Sequence, residues 1–296
     1  MAMRRVLLTG GSGFIGRNLL ASPLGANYEF LSPGHRELDL VDTDQVDAFF
    51  RANRVDAIVH AAGKPGHRNA PDHDALFYSN TRQYFNLARH APEVERMIVI
   101  GSGASYGMEH YLPRMQEGYF GVHVPKDEHG FMLYVTGRDI ARSANIVDLR
   151  VFGVFGPGED YAIRFISNMM CKCVHGLPLT VKQDRRMDYL WVGDLAPVLD
   201  ALLSGEPRHR AYNVTPDETV SLVDLAHRIR AVSGKDLEIR VGAPGQGREY
   251  SGDNARLRAE CPAFIPTPWE RSLPMLYRHY VEHSHEIRRE ALLHDK

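Results

Sequence analysis

Cysteine is scarce in this chain: Cys171, Cys173 and Cys261 are the only three in 296 residues. An odd trio with no ligand-like spacing excludes both a disulfide-stapled scaffold and a cysteine metal module. Cys171-Lys172-Cys173 reads as one buried and one less buried thiol on a helix. Long apolar runs are missing as well. No stretch approaches the roughly 20 residues of a membrane span, and Met1 to Leu8 leads too directly into glycines to read as a signal peptide. The expected location is the cytoplasm. An excess of either charge is also lacking, with 35 Lys+Arg against 37 Asp+Glu. Without a Lys/Arg-rich block, nucleic acid and anionic membranes are not expected partners. The 15 histidines form no HExxH-like pattern, so no metal is expected.

What remains is a chain of ordinary globular composition, long enough for one large core or two modest domains. Its first half alternates short apolar runs with amphipathic segments. Strands are read at Val6 to Thr9, Tyr28 to Leu31, Ala57 to His60, Met97 to Ile100 and Ile146 to Phe152. Helices are read after Thr43, taken as an N-cap, and from about Asp74 to Arg89. Apolar runs separated by helices predict an α/β fold, a doubly wound parallel sheet of Rossmann type whose strand C-termini line the ligand crevice. Beyond Phe152 the pattern loosens. A turn at Gly153 to Gly158 precedes a helix around Ile163 to Cys173, short strands at Leu179 to Val181 and Asp188 to Trp191, and a helix from Asp194. Tyr212-Asn213-Val214 looks like a return to the sheet. Ser221 caps a further helix, a strand follows at Leu237 to Val241, then a Gly/Pro-rich loop to Gly247 and a last helix from Trp269. The expected division is a dinucleotide domain over 1-155, rejoined by 190-215, and a smaller α/β substrate lobe over 156-189 and 216-296.

The chemistry begins at Thr9-Gly10-Gly11-Ser12-Gly13-Phe14-Ile15-Gly16. Glycines at 10, 13 and 16 between a strand and a helix let backbone approach a pyrophosphate and let helix and strand pack closely. A glycine triplet alone is a weak signal, but its place directly after the first strand strengthens it. The end of the second strand bears on NAD against NADP: an acid there would bond a ribose hydroxyl, whereas Arg accommodates a phosphate. Here Ser32-Pro33-Gly34-His35-Arg36 carries no acid until Glu37, which favours NADP over NAD through Arg36. Asp39 and Leu40 are placed to flank the adenine.

Several segments share an order with one family. Besides the glycine loop they are Asp39 to Asp42, Val59 to Lys64, Ser79-Asn80-Thr81, Ser102 through Gly107, Leu149 to Gly156 and Tyr189 to Asp194. Together they resemble the extended short-chain dehydrogenase/reductase family, and within it the NAD(P)-dependent nucleotide-sugar epimerases, dehydratases and 4-ketoreductases. The resemblance implies coenzyme contacts from Gly10, Ser12, Gly13, Phe14, Ile15, Gly16, Ala61, Ala62, Gly63 and Asn80. It also implies that Ser102 bonds the reacting oxygen of a sugar, and that the chain forms a homodimer through the helices near residues 74–89 and 134–142.

Catalysis in that family uses a Tyr and a Lys four residues on, the ammonium holding the nicotinamide ribose and lowering the phenol's pKa. Two registers fit the segment 124–138. The preferred one places His129 and Leu133 at the two positions; the other places Tyr134 and Arg138 there. An imidazole still offers acid–base chemistry, whereas Leu133 offers no charge, and Arg138 is not equivalent to Lys. For a nucleotide diphosphate the basic candidates are Arg164, Lys172, Arg185, Arg186 and Arg248, each of which has a plain surface role as its competing reading. The family's frequent Arg before Asp-Tyr is Met187 here, and its frequent Asn after the fifth strand is Gly153. The expected activity is reduction of a nucleotide-linked 4-keto-deoxysugar, with 4-epimerase as the neighbouring alternative. A 4,6-dehydratase is disfavoured because Gly103-Ala104 supplies no acid pair. A coenzyme-binding sensor without turnover is the rival from another class.

Overall fold

The computed structural model describes residues 3–66 and 74–293. The chain runs β1 (Arg4–Thr9), α1 (Phe14–Leu20), β2 (Tyr28–Leu31), α2 (Thr43–Ala52), β3 (Ala57–His60), α3 (Leu76–Ala88), β4 (Arg96–Ser102), α4 (Glu128–Ile140) and β5 (Ile146–Val151). It continues through β6 (Val154–Phe155), α5 (Phe165–Val174), β7 (Leu179–Asp184), β8 (Arg186–Met187), β9 (Leu190–Trp191), α6 (Leu195–Ser204) and β10 (Ala211–Val214). The remainder is β11 (Val220–Ser221), α7 (Leu222–Ser233), β12 (Ile239–Gln246), α8 (Ala255–Glu260) and α9 (Trp269–Glu282). Among the described residues no helix is long and apolar enough to cross a membrane.

Six strands form one parallel sheet in the order β10-β5-β4-β3-β1-β2. Alternate residues explain why its strands read as unbroken apolar runs. Leu7, Ile58 and Met97 pack with Val46, Tyr84 and Leu87 on one face. Val6, Leu8, Val59 and Ile98 pack with Leu195, Leu199 and Leu202 on the other. Each fully buried Leu or Ile contributes about 1.5–3 kcal/mol, so a sheet clad on both sides is strongly specified by such runs. From β1 the chain moves outward to β2, then returns to the other side at β3. The crevice of a doubly wound sheet opens at such a reversal, beyond the strand C-termini.

The second core lies away from the sheet. Phe155, Met169, Met170, Leu225, Ile229, Leu273 and Leu276 fill it, around the parallel pair β7–β12 and the antiparallel pair β8–β11. Leu257, Cys261 and Phe264 pack with the sheet core instead.

Several local expectations are corrected. Asp42, not Thr43, caps α2, because its carboxylate accepts the N–H groups of Asp44 and Gln45. Cys171 and Cys173 are both fully buried, since α5 is enclosed by α7 and α9 rather than exposed on one side. The segment read as a loop to Gly247 is mostly strand: β12 runs to Gln246 through Pro244, its register shifting between Ala243 and Gln246. Pro is tolerated on such an edge because no neighbour needs its missing N–H.

Candidate active site

A cleft of about 1290 Å3 opens along the C-terminal ends of β1, β3, β4 and β5. Its first wall is the glycine loop. Gly10 has φ +74°, and an added Cβ would stand 2.6 Å from Ala62 N; one on Gly16 would stand 2.1 Å from Gly10 O. No side chain fits at either place. Gly13 caps α1 without a side-chain hydrogen bond, leaving backbone groups of the Gly13–Ile15 edge to the cleft. The arrangement fits a dinucleotide that needs close backbone approach.

Behind this loop, Thr9 Oγ1 and His60 Nδ1 share a buried hydrogen bond of 2.8 Å, and Ala62 N donates to the same hydroxyl at 3.3 Å. Burial pushes the His60 imidazole down to about 4, so it is neutral at ordinary pH. Asn80 clasps the next loop, accepting from Lys64 N at 2.6 Å and donating to Lys64 O at 3.0 Å. Ala61, Ala62, Gly63 and Asn80 all line the cleft. Asp39 accepts from Val41 N, Leu40 is buried under the sheet edge, and Arg36 and Ser12 are exposed. Glu37 turns back to accept from Gly34 N at 2.7 Å, so its carboxylate is engaged in its own turn.

Ser102 ends β4, and its Oγ accepts from Ala104 N at 3.2 Å. Opposite stands α4, which begins at Asp127, whose carboxylate accepts from Gly130 N. Gly130 lets this first turn sit on the 103–106 turn, because a Cβ there would lie 3.0 Å from Ala104 O. His129, Met132, Leu133 and Thr136 all line the cleft, at the spacing of one helix face. Tyr134 and Arg138 are not among the lining residues. The Tyr134 ring lies 5.5 Å from that of Phe120, and the Arg138 guanidinium is 5.9 Å from Tyr134. His129 is open to the cleft, yet desolvation by the surrounding walls holds its imidazole below the usual value; Arg164 adds to this and Asp127 opposes it.

The far wall is cationic, with Arg164, Lys182, Arg185 and Arg248 lining it. Arg248 is braced by the carbonyl oxygens of Met108 and Glu109. Two expected bases stand elsewhere. Lys172 is 3% exposed and donates to Thr180 Oγ1 at 2.6 Å, because the α5 face that carries it is turned into the second core. Arg186 donates to Thr219 and borders a separate small recess with Ser221, Gln246 and Glu249. Gly153 has a steric reason: a Cβ there would sit 2.1 Å from Asp188 O.

Sequence reasoning missed Lys182, Thr136 and, most consequentially, Tyr250. Tyr250 lines the cleft and pairs as an isolated bridge with Met187. No periodicity announces it, since it follows a short turn after β12 and its place depends on a long-range contact.

A sequence profile of the NAD dependent epimerase/dehydratase family matches residues 6–215. The chain is 26% identical over 328 aligned residues to dTDP-4-dehydro-6-deoxy-D-allose reductase from Streptomyces sp, with 95% of this chain and 98% of the relative covered. It is 30% identical over 106 residues to GDP-L-colitose synthase from Yersinia pseudotuberculosis, a match spanning about a third of each (34% and 34%). Among solved structures, a GDP-L-fucose synthetase from Naegleria fowleri bound to NADP superposes with a TM-score of 0.80 at 16% identity, covering 98% of both chains.

Proposed function

The chain belongs to the NAD dependent epimerase/dehydratase family, and we propose that it reduces a nucleotide-linked 4-keto-deoxysugar with NADPH as the preferred coenzyme. The observation that carries this reading is the continuity of one cleft, about 1290 Å3 in volume. It joins the glycine loop, Ser102 and the Arg164/Lys182/Arg185/Arg248 wall, so it has room for a dinucleotide and a second, anionic ligand.

Gly10, Ser12, Gly13, Phe14, Ile15 and Gly16 would hold the pyrophosphate side of the coenzyme, Asp39 and Leu40 its adenine, and Ala61, Ala62, Gly63 and Asn80 the run toward its nicotinamide. When bound, the reduced coenzyme supplies hydride. Ser102 donates a hydrogen bond to the substrate carbonyl and polarises it. Cations on the far wall, Arg164, Lys182, Arg185 and Arg248, pair with the diphosphate. Arg36, exposed past β2, is the partner offered to a 2′-phosphate. The exposed aromatic residues Tyr78, Phe85 and Phe131 on α3 and α4 support a homodimer through that pair; light scattering showing a stable monomer would sink this.

One observation favours a second reading. Leu133 stands on the cleft face where the ribose-holding ammonium is expected, which suits a coenzyme-binding protein without turnover. The deciding experiment incubates purified protein with NADPH or NADH and a panel of GDP-, UDP- and dTDP-linked 4-keto-6-deoxyhexoses, following coenzyme oxidation and identifying products. Reduced sugar supports the reductase; coenzyme binding with no oxidation on any panel member overturns it. Separate incubation with nucleotide hexoses tests the 4-epimerase alternative by the appearance of the C4 epimer.

A further inference from the structure

We propose that Tyr250 is the proton donor of this site, replacing the phenol that α4 does not present. The inference rests on the reductase reading and adds to it the source of the proton. On the cleft face of α4 the only titratable group among His129, Met132, Leu133 and Thr136 is His129, and desolvation lowers the pKa of its imidazole, which favours the unprotonated form. A neutral imidazole is a weak acid. Tyr134 is turned toward Phe120.

Tyr250 meets the geometric requirement from the opposite wall. Its phenol interacts with the hydroxyls of Ser102 and Tyr111, which brings it to the group expected to polarise the carbonyl. Its ring packs against Tyr111, with centroids 4.8 Å apart, and Phe152, 5.0 Å apart, in a cluster whose other two rings are 6.2 Å from each other. The backbone is fixed as well: Tyr250 N donates to Arg186 O at 3.0 Å, and Tyr250 O accepts from Asp188 N at 3.2 Å. Two residues on, Gly252 N donates to the Asp188 carboxylate at 2.8 Å. A residue so restrained is positioned for chemistry at one point.

Its electrostatics keep the proton on the hydroxyl. Burial, reinforced by the Asp188 charge, pushes the phenol up to about 12 against the lowering effects of Tyr111, Ser102 and Arg164, so the hydroxyl keeps its proton at neutral pH. In the step, the carbonyl carbon gains a C–H bond from hydride of a reduced nicotinamide coenzyme, and the carbonyl π pair moves to oxygen. The Tyr250 O–H bond breaks and its proton joins that oxygen. The phenolate left behind, eased by the nearby Arg164 charge, regains a proton from solvent through the open cleft. The sum is ketone plus reduced coenzyme plus one proton, giving alcohol and oxidised coenzyme.

The test compares wild type, Tyr250→Phe, His129→Phe and Tyr134→Phe on the 4-keto-6-deoxyhexose panel, with melting curves and NADPH titration to establish that each variant folds. Tyr250→Phe is expected to lower kcat about 100-fold or more, while binding NADPH within about twofold of wild type. A second readout needs no turnover. In 3-fluorotyrosine-labelled protein, the fluorine resonance lost in Tyr250→Phe is expected to shift in Ser102→Ala and on adding the keto-sugar nucleotide without coenzyme. If wild type turns over and only His129→Phe or Tyr134→Phe is impaired, or if that resonance ignores both changes, the assignment to Tyr250 is overturned while the reductase reading stands. No turnover by wild type removes both.

Discussion

The carboxylate of Asp188 accepts a hydrogen bond from the backbone N–H of Gly252 at 2.8 Å. It also accepts from Thr215 Oγ1 and, at 3.4 Å, from Gly153 N. One buried acid, 1% exposed, therefore ties the end of β5, the segment after β10 and the loop carrying Tyr250. Burial raises its pKa to about 7 against those hydrogen bonds.

The sign of its pH effect follows. Between about pH 4 and pH 7 the folded state holds more protons at this group than the unfolded state, so stability falls as pH rises through that window. The stabilisation at stake is on the order of a few kcal/mol. Urea unfolding of wild type and Asp188→Asn across this range checks it: the wild type should lose stability relative to the variant as pH rises. Parallel curves would refute the assignment.

His60 predicts the opposite slope. Its folded pKa of about 4 lies below the usual 6.5, so its contribution is present above about pH 6.5 and is lost as pH falls toward 4. His60→Phe should flatten that acid limb. It should also cost about 1–3 kcal/mol at pH 7 by removing the stronger of the two hydrogen bonds of the buried Thr9 hydroxyl, leaving the one from Ala62 N; denaturant midpoints at pH 7 and pH 5 measure both.

Substitutions in the glycine loop should separate by space. Gly16→Ala must displace backbone at Gly10 O, and Gly10→Ala combines a clash at Ala62 with a positive φ. Both should lower NADPH affinity about tenfold or more, worth about 1.4 kcal/mol, and lower the melting temperature. Gly13→Ala meets only Gly10 O at 3.2 Å and should retain the fold. Fluorescence titration with NADPH and thermal melts rank the three.

Coenzyme choice can be read at Arg36. Arg36→Ala should weaken NADPH binding about tenfold and leave NADH binding within about twofold. Equal losses for the two coenzymes would show that Arg36 does not meet the 2′-phosphate.

The parallel sheet and the glycine loop were legible because their signals are local. Val6, Leu8, Val59 and Ile98 must be apolar for a strand buried on both faces, and Gly10 and Gly16 must lack a Cβ where backbone segments touch. The Thr43 cap was misplaced by one residue, since adjacent Asp42 and Thr43 both carry cap-forming oxygens and only the backbone dihedrals choose between them. Lys172 looked like a ligand-binding base because sequence shows its charge but not the direction of the α5 face that carries it.

By itself, then, the sequence determined the doubly wound sheet, the dinucleotide loop and the family, all of which depend on residue type at short spacing. Which face of α4 looks into the cleft, where the basic residues stand and which tyrosine reaches Ser102 were decided only in three dimensions. Tyr250 lies 148 positions from Ser102. Its approach depends on the β8 bridge, the Asp188 hydrogen bonds and the Tyr111–Phe152 packing, and none of these long-range contacts leaves a local pattern in the chain.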